Sequence, residues 1–468
     1  MRIVISGGGM VGLCTGMLLA KDGHDVTLLE RDGAAPPDPD QSWTAWERRG
    51  VNQFRLPHFF LARFRSIAEA ELPELVDALA AAGACRYNIA DNIPDEMKGG
   101  SRPDDNRFDV ITGRRTVVES VTARVAEEAP GLTVRRGVAV RGLVTGPAAN
   151  GSVPNAVGVE LENGERIDTD LVVDATGRRS PLPRWIADAG GPAVPEELED
   201  SGFRYYGRHF RSADGSLPAM FGPLKQDYGS VSALTLPADN GTWSVTIIAS
   251  SKDSALRAAS DPKKWECAIR TLPLAAHWID GEPIDDGVAV MAKIEDRIRE
   301  YAPGGKPVVT GVLAVGDSWS CTNPSLGRGA SIGLMHAALL RDVIRDNGDA
   351  DPWKLASVWY ELTRTEVEPY YRATLGFDRA RLAEVDAIIA GKPFTDTNSE
   401  WSLTKALEGL SLENPDFLRA NLEIGMLLRR SDEVAQDPTV MEILDRDVEA
   451  SDQPPLGPTR TELLAAIS

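Results

Sequence analysis

Apolar and polar positions along the chain fall into blocks of different period. RIVIS at residues 2–6 and DVTLLE at 25–30 read as strands. Between them Leu13, Met17, Leu18 and Ala20 recur at helical spacing, up to a stop at Gly23. The first thirty residues are therefore predicted as strand, tight turn, helix and strand. Residues 57–82 read as largely helical, with Phe60, Phe64, Ile67, Leu75 and Leu79 as apolar positions, and a further helix is expected after Arg115. LTVRRGVAVRGLV has strand character, and residues 156–162 and 169–174 are predicted strands around an Asn-Gly turn. From about 200 to 293 the pattern changes to alternating, aromatic-rich runs (FRYYGRHF, SVSALTL, TWSVTIIA, GVAVMAKI) that suit an antiparallel sheet. A late apolar run, VVTGVLAV, leads through GDSWSCTNPSLGRGASIG into LMHAALL, which reads as strand, loop and helix. From about 352 onward helical patterning dominates, with breaks at GKPFTDTN and SDQPPLGP.

Charge and composition narrow the function classes. At 468 residues, with 42% apolar and 26% charged side chains, the chain is a globular protein longer than one typical domain. A net charge of −20, from 50 basic and 70 acidic residues, argues against a nucleic-acid binder and makes anionic membrane surfaces poor partners. No stretch approaches the roughly 18–20 apolar residues that would span a bilayer. The N-terminus lacks the basic and long apolar regions of a secretory signal, so a cytoplasmic protein is expected. Cys14, Cys85, Cys267 and Cys321 show no CxxC spacing and the five His no HxxxH pair, so neither a disulfide framework nor a metal site is expected.

Gly7, Gly9 and Gly12 form a G-x-G-x-x-G between the first strand and helix. The first glycine permits the turn, the second lets backbone approach a pyrophosphate, and the third lets helix pack on strand. The helix N-terminus, with Met10 and Val11, then faces the phosphate charge. Glu30 ends the second strand, where a carboxylate accepts ribose hydroxyls, and Arg31 follows it. An acid there fits an unphosphorylated adenosine ribose, as in FAD or NAD. The late glycine-rich loop decides for FAD, whose ribityl chain and ring need further backbone beyond the first loop. Asp317 stands just after a strand, where its carboxylate can accept ribityl hydroxyls. Gly327 and Gly329 allow main chain to approach the flavin edge, and amides near Ala330 and Ser331 open the following helix toward negative charge on reduced flavin.

At these residues the chain resembles the flavoprotein monooxygenases of the p-hydroxybenzoate hydroxylase type. Gly316, Asp317, Pro324, Gly327, Gly329, Gly333 and Ala337 match that family's second motif at every spacing, with GDSWS where GDAAH is frequent. Arg115 occupies the place of the family arginine that contacts the flavin phosphate and ribityl region, with Arg114 beside it. The middle motif, Asp174-Ala175-Thr176-Gly177 followed by Arg178, Arg179 and Ser180, resembles the branch of geranylgeranyl reductases, flavin halogenases and polyether-type epoxidases. Several members of that branch use flavin reduced by a separate reductase, so the electrons come from NAD(P)H directly or through a partner flavin reductase. The halogenase W-x-W-x-I-P motif is not matched by TWSVTIIA. RRGVNQFRLPHFF resembles a segment of the epoxidases, with Arg49, Gln53 and His58 as candidates for lining the flavin; Ala139 completes the cofactor set.

The resemblance implies an α/β fold: a Rossmann-type, glutathione-reductase-like FAD-binding domain with an inserted antiparallel β-sheet substrate domain and C-terminal helices. The expected division is 1–190 for the first part of the FAD-binding domain, with an excursion to the substrate domain at about 45–100. The β-sheet substrate domain follows at 191–290, the rest of the FAD-binding domain at 291–350, and a helical region at 351–468. The implied chemistry is the cofactor's: reduced FAD adds dioxygen to form a C4a-hydroperoxide, which epoxidises or hydroxylates an apolar small molecule. Asn323, Pro324, Tyr206, Trp243 and His58 are the candidate substrate-pocket residues, with Tyr205, Met220 and Phe221 as further walls. A flavin-dependent carbon–carbon reductase of the geranylgeranyl reductase type and a non-catalytic FAD-binding protein are the alternatives. The state is expected to be a monomer or homodimer.

Overall fold

Two sheets of opposite character organise the chain in a computed structural model, which describes residues 1–48, 50–51, 53–148, 153–394, 399–437 and 457–468. Five strands, β1 (Arg2–Ser6), β2 (Asp25–Glu30), β3 (Leu132–Arg136), β4 (Leu171–Asp174) and β5 (Val312–Ala314), form an all-parallel sheet in the order β5-β4-β1-β2-β3. Helix α1 (Met10–Lys21) joins β1 to β2 and packs beside α2 (Arg115–Glu128) and α3 (Gly329–Asn347). A single apolar core runs through these layers, which is why β1, β4 and β5 are almost wholly buried. Ligands of such open parallel sheets bind beyond the C-terminal strand ends, and here the ends of β1, β2, β4 and β5 converge on one cavity.

The second sheet is antiparallel. Its order is 225–228, 231–237, 242–250, 203–211 and 282–283, with 289–291 also paired to 203–211. Side chains alternate across it. Tyr206, Phe210, Trp243, Val245 and Ile247 enter a second core under Trp265 and Trp278, while Tyr205 and Thr246 face the other way, toward the cavity. The largely helical stretch expected over 57–82 is present as two helices, Ala62–Glu71 and Pro73–Ala81, whereas 57–61 is neither helix nor strand, with Pro57, His58, Phe59 and Leu61 on the cavity wall. Pro57 has no amide hydrogen for a helix and biases the residue before it away from helical backbone.

The C-terminal helices complete the enclosure. Helix α4 (Glu368–Ile389) packs on the cavity-facing side of the antiparallel sheet, with Leu382 against Tyr205 and Ile248 and with Ala373 and Phe377 on the cavity wall, and α5 (Ser399–Leu410) and α6 (Pro415–Gly425) roof the cavity. Among the described residues no helix is long and apolar enough to cross a membrane, and no cluster of His, Cys, Asp and Glu is arranged to hold a metal.

Candidate functional site: a cavity between the two sheets

The first wall is the β1–α1 turn. Gly7 sits at φ +109° with its amide on the Leu29 carbonyl (2.8 Å), and a Cβ there would lie 2.4 Å from the Ala175 carbonyl oxygen. A Cβ on Gly12 would lie 2.0 Å from the Gly7 oxygen, so this glycine allows helix and strand to touch and does not itself line the cavity. Gly9 is different: a Cβ there would meet nothing within 4 Å. Gly9, Met10 and Val11 line the cavity where the first-turn amides of α1 have no intrahelical partner.

Behind this turn lies a buried charge cluster. Glu30 Oε2 accepts hydrogen bonds from the Gly8 amide (2.8 Å) and Arg48 Nη2 (2.7 Å), and Oε1 accepts from the Asp32 amide (2.8 Å). Arg48 Nη1 donates to Glu119 Oε2 (2.8 Å) and to the Gly8 carbonyl (3.0 Å). Burial opposes the charge on Arg48, but Glu119, Glu30 and Asp32 outweigh it and hold the guanidinium above its ordinary pKa. Burial likewise opposes ionisation of Glu119, and Arg115 and Arg48 overcome it, holding that carboxyl below the usual range. Glu30 thus keeps its place on the cavity wall but also anchors the loop beneath, a role its position at a strand end does not announce. Arg49, proposed from sequence to line the flavin, lies outside the described residues. Its neighbour Arg48, which carries no motif signal, lines the cavity.

Arg115 pairs with Glu119 one helical turn on, and its Nη1 lies 3.1 Å from His58 Nε2. His58 Nδ1 lies 2.9 Å from the Leu56 carbonyl, which only accepts, so Nδ1 carries the hydrogen and Nε2 accepts from Arg115. Burial and the Arg115 charge push the His58 pKa down to about 3, so the ring stays neutral at physiological pH. Both residues line the cavity, as do Gln53, Arg31 and Ala139.

The late loop forms the facing wall. The Val315 amide donates to the Asp174 carbonyl (2.9 Å), and the Gly316 amide donates to His336 Nδ1 (3.0 Å). With Nδ1 accepting, His336 Nε2 donates to Thr363 Oγ1 (3.1 Å), and the ring stacks on Trp359. This buried neutral imidazole orients the backbone that presents Asp317. The Asp317 carboxylate lines the cavity and has no hydrogen-bond partner among the described residues. Burial raises its pKa, and Arg115, Arg178 and Arg299 act against that. Gly327 (φ +66°), Gly329 and Ala330 line the cavity, and a Cβ on Gly329 would meet nothing within 4 Å. Ser331 is fully buried with its hydroxyl unpartnered and does not reach the cavity, because it falls on the inward face of α3.

In the middle motif, Asp174 also points away from the cavity. It accepts from the Thr176 amide (3.0 Å), the Thr176 hydroxyl (2.6 Å) and Ser180 Oγ, so it shapes the turn that exposes Ala175, Thr176 and Gly177. Of the expected substrate-pocket residues, His58 and Pro324 line the cavity. Tyr206 and Trp243 do not: the period of two along their strands turns them into the second core, where Trp243 Nε1 donates to the Trp278 carbonyl (2.7 Å). Asn323 lies just behind the wall, accepting from the Tyr205 hydroxyl (2.8 Å).

The cavity has a volume of about 1570 Å³, beyond the roughly 300–1,000 Å³ of a usual small-molecule site. It continues past the glycine loops into an apolar lobe walled by Leu224, Leu234, Leu236, Leu422 and Met426. Two of the exposed large apolar residues, Phe221 (67%) and Leu412 (48%), stand on its rim. Lys225 is on the wall too, held by Asp227 at 2.8 Å and lying over the Phe377 ring.

No family model matches the chain. The chain is similar to Protein Rv3254 of Mycobacterium tuberculosis, with 27% identity over 397 residues spanning 79% of this chain and 77% of that protein. Among solved structures it is similar to the flavin-dependent brominase Bmp2, with a TM-score of 0.63 and 15% identity over 95% of this chain and 100% of that one. It is also similar to 2-methyl-3-hydroxypyridine-5-carboxylic acid oxygenase, with a TM-score of 0.55 and 15% identity over 82% and 92% of the two chains. The fold is that of the flavin-dependent monooxygenases and halogenases.

The residues present suit FAD on three counts: open space above Gly9 and Gly329, first-turn amides without intrahelical partners, and an Asp317 carboxylate with no hydrogen-bond partner among the described residues. Asp317→Ala is expected to weaken FAD binding by roughly 10- to 100-fold, the value of hydrogen bonds to a charged acceptor. Titration of FAD fluorescence with apoprotein measures this, and an unchanged affinity would remove Asp317 from the cofactor site.

Proposed function

We propose that this protein binds FAD along the β1–α1 turn, the Arg115–His58 pair and the Gly316–Ala330 loop, and oxygenates an apolar small molecule held in the adjoining lobe. The observation that carries this reading is one continuous cavity joining a polar, glycine-lined half to an apolar, roofed half. Reduced FAD supplies the chemistry, passing electrons to dioxygen for transfer of one oxygen atom to the substrate. What remains falls to the chain's own residues. Asp317 and the amides opening α1 and α3 bind and orient. Leu224, Leu234, Leu236 and Met426 exclude water, without which activated oxygen is wasted as hydrogen peroxide. The neutral His58 fixes the Arg115 guanidinium without adding charge.

Similarity to an oxygenase and a brominase of the same fold supports flavin-based oxygen activation. The unmatched tryptophan motif favours oxygenation over halogenation. Electrons come from NAD(P)H or from a separate flavin reductase. Loading the protein with FAD, reducing it anaerobically and mixing with dioxygen tests the proposal. Rapid oxidation of bound flavin and incorporation of labelled oxygen into an apolar alkene or aromatic are expected. A flavin that stays reduced in air overturns it.

A further inference from the structure

Oxygenation of this kind obeys a fixed balance: substrate + O2 + 2 e− + 2 H+ gives oxygenated substrate + H2O. The electrons come from reduced nicotinamide or an externally reduced flavin. The two protons must enter a cavity whose substrate half is apolar and roofed by α5 and α6. The structure offers a route at the loop before α3. Ser325 lines the cavity and its hydroxyl donates to Asp378 Oδ1 at 2.5 Å, from the loop to helix α4. Asp378 is deeply buried, and its second oxygen, Oδ2, completes no hydrogen bond. Among the described residues no ion pair holds it.

We propose that Asp378, acting through the Ser325 hydroxyl, relays protons into the cavity. It rests on the oxygenase reading above. The geometry gives the relay its direction. A proton on Oδ2 would leave a buried donor unsatisfied, whereas a proton on Oδ1 donates to Ser325 Oγ and frees the serine hydrogen to point into the cavity. Passage of the serine proton to the reacting oxygen and of the carboxyl proton to the serine leaves Asp378 ionised, and one proton taken up from solvent for each proton delivered restores the carboxyl. Asp378 touches nothing in the cavity itself.

The surroundings keep the group poised. Burial is the main cause that raises the Asp378 pKa, to about 7. The Ser325 hydrogen bond lowers it, the Asp296 carboxyl raises it, and the nearby Asn323 amide and Lys225 lower it. Arg328, from the same loop as Ser325, makes no ion pair with the carboxylate: its Nη1 donates to Thr374 Oγ1 (3.0 Å), and burial pushes its own pKa down to about 10 against the opposing pull of the Asp378 charge. Asp296 accepts from the Asn323 backbone amide (2.6 Å), a different group from the side-chain amide beside Asp378, and is itself raised to about 6, chiefly by burial. The Tyr205 hydroxyl is held neutral by burial.

Three proteins test the relay: wild type, Asp378→Asn and Ser325→Ala, each loaded with FAD. The first readout is stability against pH. An acid whose pKa rises from 3.8 unfolded to about 7 folded stabilises fully below 3.8, and that contribution is lost as pH climbs to about 7. Wild type and Ser325→Ala should therefore lose urea resistance relative to Asp378→Asn across that window. The second readout is oxidation of photoreduced bound flavin by dioxygen, followed against pH. Wild type should slow above about pH 7, and both variants should lose that inflection, with rates below it reduced roughly 100-fold or more. An inflection retained by Asp378→Asn overturns the relay and leaves the oxygenase reading standing. A wild type that takes up no FAD overturns both.

Discussion

Gly12→Ala is expected to abolish measurable FAD binding and to destabilise the protein by about 1–3 kcal/mol or more, the range for overfilled packing. The added Cβ would lie 2.0 Å from the Gly7 carbonyl oxygen, a backbone atom that cannot swing aside as a side-chain tip can. Gly7 cannot retreat either, because it already packs on the Ala175 carbonyl in a left-handed conformation. The variant must push α1 off β1, and the amides that face the cofactor move with it. Gly9→Ala supplies the contrast. Its Cβ meets no protein atom, so denaturation in urea should match wild type while FAD affinity falls at least 100-fold, since the methyl occupies space assigned to the pyrophosphate. A Gly9→Ala protein that binds FAD normally would move the pyrophosphate elsewhere.

Arg48→Ala should cost about 3–5 kcal/mol, the effect of stranding buried charge. Arg48 contacts Glu30, Asp32 and Glu119 together, and Glu119 is completely buried. Removing the guanidinium leaves Glu119 to Arg115 alone, takes the ion pair from Glu30 and Asp32, and breaks the link from α2 to the Gly8 carbonyl. Arg48→Lys should recover only part of the loss, because one ammonium cannot reproduce a planar fork spanning Glu30 and Glu119. The sign of the pH dependence follows from Glu119. Its pKa is lowered in the folded state, so its contribution is present above the unfolded value of 4.5 and is lost as pH falls below it. The gap between Arg48→Ala and wild type in urea denaturation should therefore narrow on acidification. A loss below about 1 kcal/mol at neutral pH would show that Glu30 and Glu119 find other partners.

Much of the glycine-lined half of the cavity is legible in the amino-acid order. Gly7, Gly9, Asp317, Gly327 and Gly329 sit on the cavity wall because a glycine turn between strand and helix is a local backbone requirement. The substrate half is less legible. Tyr205 and Tyr206 are both expected wall residues, yet of the two only Tyr205 occupies the wall, since adjacent strand residues face opposite ways and only the partner layer decides which face is core. Asp174 and Ser331 belong to matching motifs yet serve the loops from behind. Arg48 has no motif to announce it, and its meaning comes from Glu119, 71 residues away. On α4, Thr374, Asp378 and Arg381 recur at helical spacing on a buried face, a polar stripe that is readable as a signal.

The amino-acid order alone determined the opening strand, turn, helix and strand, the two glycine-rich loops and the Asp317 that the second of them carries, because strand and helix periodicity, left-handed backbone and the opening of a helix are properties of a few consecutive residues. The tertiary structure decided the size and apolar character of the lobe, the anchoring of Glu30 by Arg48 and the meeting of Ser325 with Asp378 across 53 residues. Burial and choice of partner are set by which distant segments pack together, and a side chain's charge and reach take their chemical meaning only from that packing.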